Sequence, residues 1–97
     1  MKPDISLIAK LVKTAVDIGP VVRARRRAQG LRIDDAAALT GVSVDLLSRL
    51  ENGKGAVRLD KLLTVLDGLG LALVIGPKED ARMRALSQPV APHAENP

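Results

Sequence analysis

Apolar residues recur at helical spacing along most of the chain, and glycine or proline interrupts them at short intervals. Ile5, Ile8, Leu11 and Val12 follow Pro3 and Asp4, which predicts a short helix over residues 3–13 with Asp4 capping its first turn. In an alternative reading residues 11–13 are extended before a new helix start. That next helix starts at Thr14 or at Asp17, both of which have cap-like spacing; a start at Asp17 keeps Pro20 in the first turn, where its missing N–H costs no hydrogen bond. Either start carries the helix to about Gln29, with Gly30 closing it.

Residues 33–40 form the following helix, with Asp34 and Asp35 in the first turn, where carboxylates favour the positive end of the helix dipole. Ala36, Ala37 and Ala38 leave room for a close neighbour. Gly41 ends this helix, Val42 follows, and Ser43 caps another that runs to about Glu51. Two short helices joined by a three-residue turn containing glycine make a helix-turn-helix candidate. After the turn Asn52-Gly53-Lys54-Gly55, the stripe Leu59, Leu62, Leu63, Leu66 and Leu69 predicts a core helix ending at Gly68 or Gly70.

Leu71, Ala72, Leu73, Val74 and Ile75 form an apolar run between Gly70 and Gly76-Pro77, which reads as a strand. A helical chain offers that strand no partner. Its free amides and apolar surface therefore predict pairing with a second copy across a two-fold axis, giving a homodimer. From Lys78 the chain turns polar, with a short helix through Leu86 and a disordered stretch over the last ten residues. The organisation is an N-terminal helical extension (1–13), a helix-turn-helix and dimerisation domain (14–76) and a polar, flexible C-terminal tail (77–97). The fold class is mainly all-α, compact, with four to five helices and one C-terminal β-strand.

Composition narrows the chemistry. Ninety-seven residues suffice for one ordinary domain. Cysteine is absent and the single histidine, His93, lies in the proline-containing tail, so neither a thiolate metal site nor a histidine-based catalytic constellation is expected. Asp34 and Asp35 are adjacent on a helix and point in different directions, which makes them a poor acid/base pair. The expectation is a non-enzyme with no cofactor and no metal. Phe, Tyr and Trp are absent too, which removes the stacking platforms used by single-strand nucleic-acid binders.

The net charge of +4 is concentrated: residues 21–61 carry nine basic residues (Arg23, Arg25, Arg26, Arg27, Arg32, Arg49, Lys54, Arg58, Lys61) against five acidic ones. Such a block is the footprint of a polyanion partner. No apolar run reaches the length of a membrane span and no signal-peptide cleavage pattern is present, so a cytoplasmic protein with no membrane partner is expected.

Gly30-Leu31, Ala37, Gly41-Val42-Ser43, Leu47-Ser48, Leu50-Glu51 and Gly53 stand at fixed spacings. Together with the flanking helices, over residues 14–75, they resemble the phage-repressor helix-turn-helix of the Cro and XRE type. The resemblance implies a phage-repressor-like domain that binds double-stranded operator DNA. More narrowly, TAVDIGPVVRARRRAQGL and the ending LLTVLDGLGLALVIG resemble the HipB-like antitoxins, small dimeric repressors encoded with a kinase toxin. That likeness implies a type II antitoxin that autoregulates its operon, neutralises a HipA-like kinase toxin and is nucleoid-associated when bound to its operator. In the tail, Met83, Leu86 and Val90 are the sizeable apolar residues available to such a partner.

The resemblance also implies residue roles. The second helix of the motif lies in the major groove, with Val44, Asp45, Ser48 and Arg49 facing bases. Arg49 suits bidentate bonding to guanine, Val44 contact with a thymine methyl, and Asp45 either a cytosine amino group or the helix dipole. Arg32, Ser43, Lys54 and Arg58 are phosphate-contacting positions, and Arg26 with Glu51 is a structural ion pair. The sequence departs from the pattern at Arg32 and Ile33, where a small polar cap and a glutamine are usual, and at Ala36, where a larger aliphatic is usual. Val44 and Asp45 are also less polar and more acidic than is common, which predicts modest DNA affinity or affinity confined to the dimer. Two other readings stand beside this one: a stand-alone regulator without a toxin, and a protein-interaction module whose DNA-reading surface has decayed.

Overall fold

The structure, a computed structural model, describes residues 9–87. These fall into a unit of residues 12–74 and a second unit that includes residues 9–11 and 75–87.

The first unit begins with a 3-10 turn, Ala15–Asp17, that leads into α1, Ile18–Ala28. Thr14, extended at φ −135°, caps the 3-10 turn, while the α-helix itself follows Asp17, which is helical at φ −69° and leaves Pro20 in the first turn of α1, so each of the two expected starts marks one part of the path. The Asp17 carboxylate joins the two parts. Its Oδ2 accepts the N–H groups of Lys13 and Thr14, each at 2.9 Å. Those backbone bonds draw the carboxyl pKa of Asp17 below its ordinary value. Residues 9–13 carry no regular secondary structure, contrary to the helix expected over residues 3–13, whose remainder lies outside the described residues.

Three more helices follow: α2, Ile33–Thr40; α3, Val44–Asn52; and α4, Leu59–Gly68. Each of the four helices ends in the same way, with a glycine at positive φ (Gly30, Gly41, Gly53 and Gly70, φ between 65° and 75°). The next N–H then bonds back to the carbonyl five residues earlier: Leu31 to Arg26, Val42 to Ala37, Lys54 to Arg49 and Leu71 to Leu66, at 2.8–3.1 Å. This six-to-one bond satisfies a carbonyl the helix leaves orphaned, and its left-handed residue is cheapest as glycine.

The core is aliphatic and small: Val22 from α1, Ala36 and Ala37 from α2, Leu47 and Leu50 from α3, Val65 and Leu66 from α4, and Leu69 just beyond it. Leu47 and Leu69 are fully buried, and each contributes roughly 1.5–3 kcal/mol. Small residues set the helix spacing. A Cβ on Gly19 would stand 2.7 Å from the Leu50 carbonyl oxygen and closer still to that of Glu51, so α1 crosses the end of α3 backbone to backbone. The α4 stripe is rotated from the expected one. Leu62, Val65, Leu66 and Leu69 face inward at i, i+3, i+4 and i+7, while Leu59 and Leu63 are exposed.

The expected strand over Leu71, Ala72, Leu73, Val74 and Ile75 does not form within the chain; no strand exists among the described residues. A strand is defined by its ladder, and among the described residues no second strand pairs with this segment. Leu71 packs against the core, whereas Leu73, Val74 and Ile75 are exposed.

In the second unit the short helix expected through Leu86 is α5, Ala81–Ser87. The Asp80 carboxylate accepts the Arg82 N–H at 2.9 Å at its start. Residues 88–97, with Val90, His93 and the expected disordered tail, lie outside the described residues. Among the described residues no helix is long and apolar enough to cross a membrane.

Candidate nucleic-acid interface

Helix α3 is the element that carries the candidate site. Ser43 caps it, its Oγ accepting the Leu46 N–H at 3.0 Å, and Leu47 and Leu50 turn one face into the core. The opposite face presents Val44, 46 % exposed, with Asp45 exposed and Ser48 half-buried.

The far end of α3 is fixed by charge. Glu51 is buried, its side chain 1 % exposed, and both its oxygens are bonded by α1: Arg26 Nε donates to Oε2 at 2.6 Å and Arg26 Nη2 to Oε1 at 2.9 Å. Arg26 Nη1 also donates to the Leu31 carbonyl at 3.0 Å, so one guanidinium ties α1, the start of the α2 segment and α3 together. Arg23 completes the cluster, donating from Nε to Glu51 Oε1 at 3.4 Å and from Nη2 to Asn52 Oδ1 at 2.8 Å. Burial pushes the Glu51 pKa up, but the Arg26 hydrogen bonds and charge, with those of Arg23, outweigh it and hold the carboxyl below its ordinary value. The same bonds raise the Arg26 pKa against its burial.

Arg49 is not free at the surface. Its Nε donates to Asp45 Oδ2 at 3.1 Å and its Nη1 to the Ala56 carbonyl at 3.0 Å, so the side chain lies between α3 and the following loop. Lys54, on that loop, is exposed. Arg58 bonds Asp60 through two nitrogens, at 2.7 and 3.1 Å, and Arg32 lies 3.4 Å from Asp34; both pairs are exposed.

Some of these partners escape sequence reading. Sequence counts Arg23 and Arg25 only as part of the basic block, yet Arg23 joins Glu51 and Asn52, and Arg25 Nε donates to the Leu69 carbonyl at 2.8 Å, alongside Gln29 Nε2 at 3.1 Å. For Arg23 a signal existed, because it sits three residues before Arg26 on one helix face. For Arg25 none did, since its acceptor is a backbone carbonyl 44 residues away. Among the described residues no group of acidic or histidine side chains has the arrangement of a metal site.

Two short helices joined across Gly41-Val42-Ser43, the second buried on one side and presenting a polar and apolar face on the other, define a helix-turn-helix domain. The chain belongs to the helix-turn-helix domain family, whose profile it matches over residues 17–74. It is 40 % identical over 73 residues to an uncharacterized HTH-type transcriptional regulator, y4mF, of Sinorhizobium fredii, covering 74 % of this chain and 96 % of that protein. Its fold is similar to a chain in the structure of a HipA-HipB-O2-O3 complex, with a TM-score of 0.65 and 15 % identity, over 73 % of this chain and all of that one. It is also similar to ClgR, the clp gene regulator of C. glutamicum, with a TM-score of 0.57 and 28 % identity, over 67 % of this chain and 83 % of that one.

Proposed function

We propose that the protein is a DNA-binding transcriptional regulator that represses its own operon as a homodimer. The observation that carries this reading is the two-sided α3. Leu47, Leu50 and Glu51 lock it onto the domain, and Val44, Asp45 and Ser48 remain on the outer face, where base edges are read in this family. Lys54 and the Ser43 end of α3 meet phosphates on either side of that face, and Arg32 and Arg58 join them by exchanging their aspartate partners for phosphate oxygens. Such exposed ion pairs contribute about 0–1 kcal/mol each, so the exchange costs little. Dimerisation runs through residues 71–75, whose exposed Leu73, Val74 and Ile75 suit a two-stranded ladder with a second copy.

The finer role is that of an antitoxin that neutralises a HipA-like kinase. It is supported by the resemblance of the segments before α2 and after α3 to HipB-like antitoxins; the fold likeness to a chain of a HipA-HipB complex is compatible with it.

The test is fluorescence anisotropy of the protein on DNA from immediately upstream of its own gene, and on a shuffled duplex, across a salt series. Preferential binding with a steep salt slope supports an autoregulating repressor. Equal, weak binding by a folded dimer transfers the assignment to a protein-interaction module. Lys54→Ala weakens binding to both duplexes alike and flattens the log–log salt slope by about one unit.

A further inference from the structure

The resemblance to phage repressors places Arg49 among the base-reading residues, but the structure gives its guanidinium other work. An arginine reads guanine with two parallel N–H groups from one edge of the guanidinium, either Nε with Nη2 or Nη1 with Nη2. Here Nε is committed to Asp45 Oδ2 and one Nη1 N–H to the Ala56 carbonyl, so the Nε edge has already lost a donor and the guanidinium is held between two acceptors. The two acceptors belong to different elements. Asp45 lies one turn earlier on α3, and Ala56 lies in the loop that connects α3 to α4.

The loop is shaped around this side chain. Gly55 has φ +72°, and a Cβ there would stand 3.6 Å from Arg49 Nη1 and 3.9 Å from Cδ, so the loop backbone passes against the guanidinium. Lys54 is bonded through its backbone N–H to the Arg49 carbonyl at 2.9 Å. Arg49 therefore holds both ends of the segment that carries Lys54: its main chain holds residue 54 and its side chain holds residue 56. Among the described residues few other polar contacts restrain the loop, since no backbone–backbone bond joins Gly55, Ala56 or Val57 to a neighbour.

We propose that Arg49 is a positioning residue, which braces the α3–α4 loop so that the Lys54 ammonium and the start of α4 meet the DNA backbone in register with the outer face of α3. Base discrimination on α3 then falls to Val44, Asp45 and Ser48, with Asp45 turned toward Arg49 and its charge partly neutralised by it. The proposal rests on the DNA-binding reading above and assigns Arg49 a different task within it. Its physical basis is pre-organisation. A loop fixed before binding does not have to be ordered on binding, and two fixed phosphate contacts set the register for the base contacts between them.

Two measurements test it. The first uses the free protein: the 15N–1H NOE of the Gly55, Ala56 and Val57 amides falls in Arg49→Ala while those of α3 hold, because the loop gains picosecond-to-nanosecond motion. Unchanged loop values overturn the brace whether or not the protein binds DNA. The second is a double-mutant cycle of Arg49→Ala and Lys54→Ala on the upstream and shuffled duplexes. Arg49→Ala weakens both by the same factor, roughly fivefold to tenfold, with the loss of about one unit of salt slope. Adding Lys54→Ala to it changes affinity by less than about twofold, since the two act as one unit.

A base reader gives the opposite result. The preference for the upstream duplex collapses in Arg49→Ala, and the Lys54→Ala effect multiplies with it. If the wild-type protein binds neither duplex, the DNA-binding reading is overturned, and the amide measurement alone decides the brace. Arg49→Lys, which reaches one acceptor but not both, gives intermediate loop values and serves as the second variant should Arg49→Ala unfold.

Discussion

Replacing Glu51 by glutamine removes the charge at the junction of α1 and α3 and leaves its shape. In the native domain the carboxylate accepts two bonds from Arg26, at 2.6 and 2.9 Å, and one from Arg23 at 3.4 Å, with its own side chain 1 % exposed and that of Arg26 11 % exposed. Glutamine keeps one acceptor and turns an NH2 group toward the other guanidinium nitrogen, so a donor faces a donor in a site closed to water. Breaking a buried pair by removing one partner costs about 3–5 kcal/mol; with one bond retained we expect the lower end, about 3 kcal/mol. For a domain of this size that lowers Tm by roughly 12–24 °C. The assay is thermal and urea unfolding followed by circular dichroism between pH 3 and 8. Because Glu51 titrates below its ordinary value in the folded state, its stabilisation is complete at neutral pH. It is lost as the pH falls below the unfolded value, about 4.3, and toward the folded one, since the unfolded chain takes up the proton first. The gap between wild type and Glu51→Gln must therefore be largest near pH 7 and narrow toward pH 3. A gap that is constant with pH, or a Tm change under about 4 °C, the shift expected from 1 kcal/mol at most, refutes the assignment.

Three further outcomes are expected. Gly19→Ala drives a methyl group into the backbone carbonyls of Leu50 and Glu51, which have no side-chain freedom to yield, and lowers stability by about 3 kcal/mol, read as a reduced urea midpoint. Ser43→Ala loses the bond to the Leu46 N–H and costs about 1 kcal/mol in the same measurement, without changing the oligomeric state. Leu73→Pro or Val74→Pro removes a ladder donor and yields monomers by light scattering; a variant that stays dimeric takes residues 71–75 out of the interface.

What the sequence discloses and what it withholds divide along a physical line. The helix ends are legible because a glycine that must adopt positive φ leaves a mark in the chain, and Gly30, Gly41, Gly53 and Gly70 each stand where the amphipathic pattern stops. The α3 cap is legible at Ser43 for the same local reason. Rotation of α4 is less so: five leucines predict an apolar face, but which of Leu62 and Leu63 points inward depends on how α4 meets α2, where Gly68 stands against Thr40. Both starts that spacing offers before α1 are used, Thr14 for the 3-10 turn and Asp17 for the α-helix, and spacing alone does not show that they join. Within the candidate site, Asp45 and Arg49 are a readable i,i+4 pair, while the Ala56 carbonyl that completes the Arg49 environment is set by the path of the loop. The apolar run 71–75 is legible as a segment, but whether it becomes a strand depends on a pairing partner that its own residues do not encode.

The side-chain bonds also change the meaning of the charge count. Nine basic residues against five acidic ones in residues 21–61 suggest a surface rich in phosphate contacts. Of the nine, Arg23 and Arg26 are spent on Glu51, Arg25 on the Leu69 carbonyl, and Arg49 on Asp45 and Ala56, while Arg32 and Arg58 have aspartates beside them. Since the exposed pairs of Arg32 and Arg58 exchange at little cost, the charge this block offers a polyanion is carried by those two with Lys54, Arg27 and Lys61. Affinity for DNA scales with the number of phosphates neutralised, so five such cations in the block, and not nine, give a single copy weaker binding at physiological salt than the charge count suggests. Two copies held on one duplex double that number and make the second contact intramolecular, which multiplies rather than adds to the affinity. The proposed dimer through residues 71–75 therefore predicts that a Leu73→Pro monomer loses DNA binding in the anisotropy assay even though α3 and its outer face are untouched.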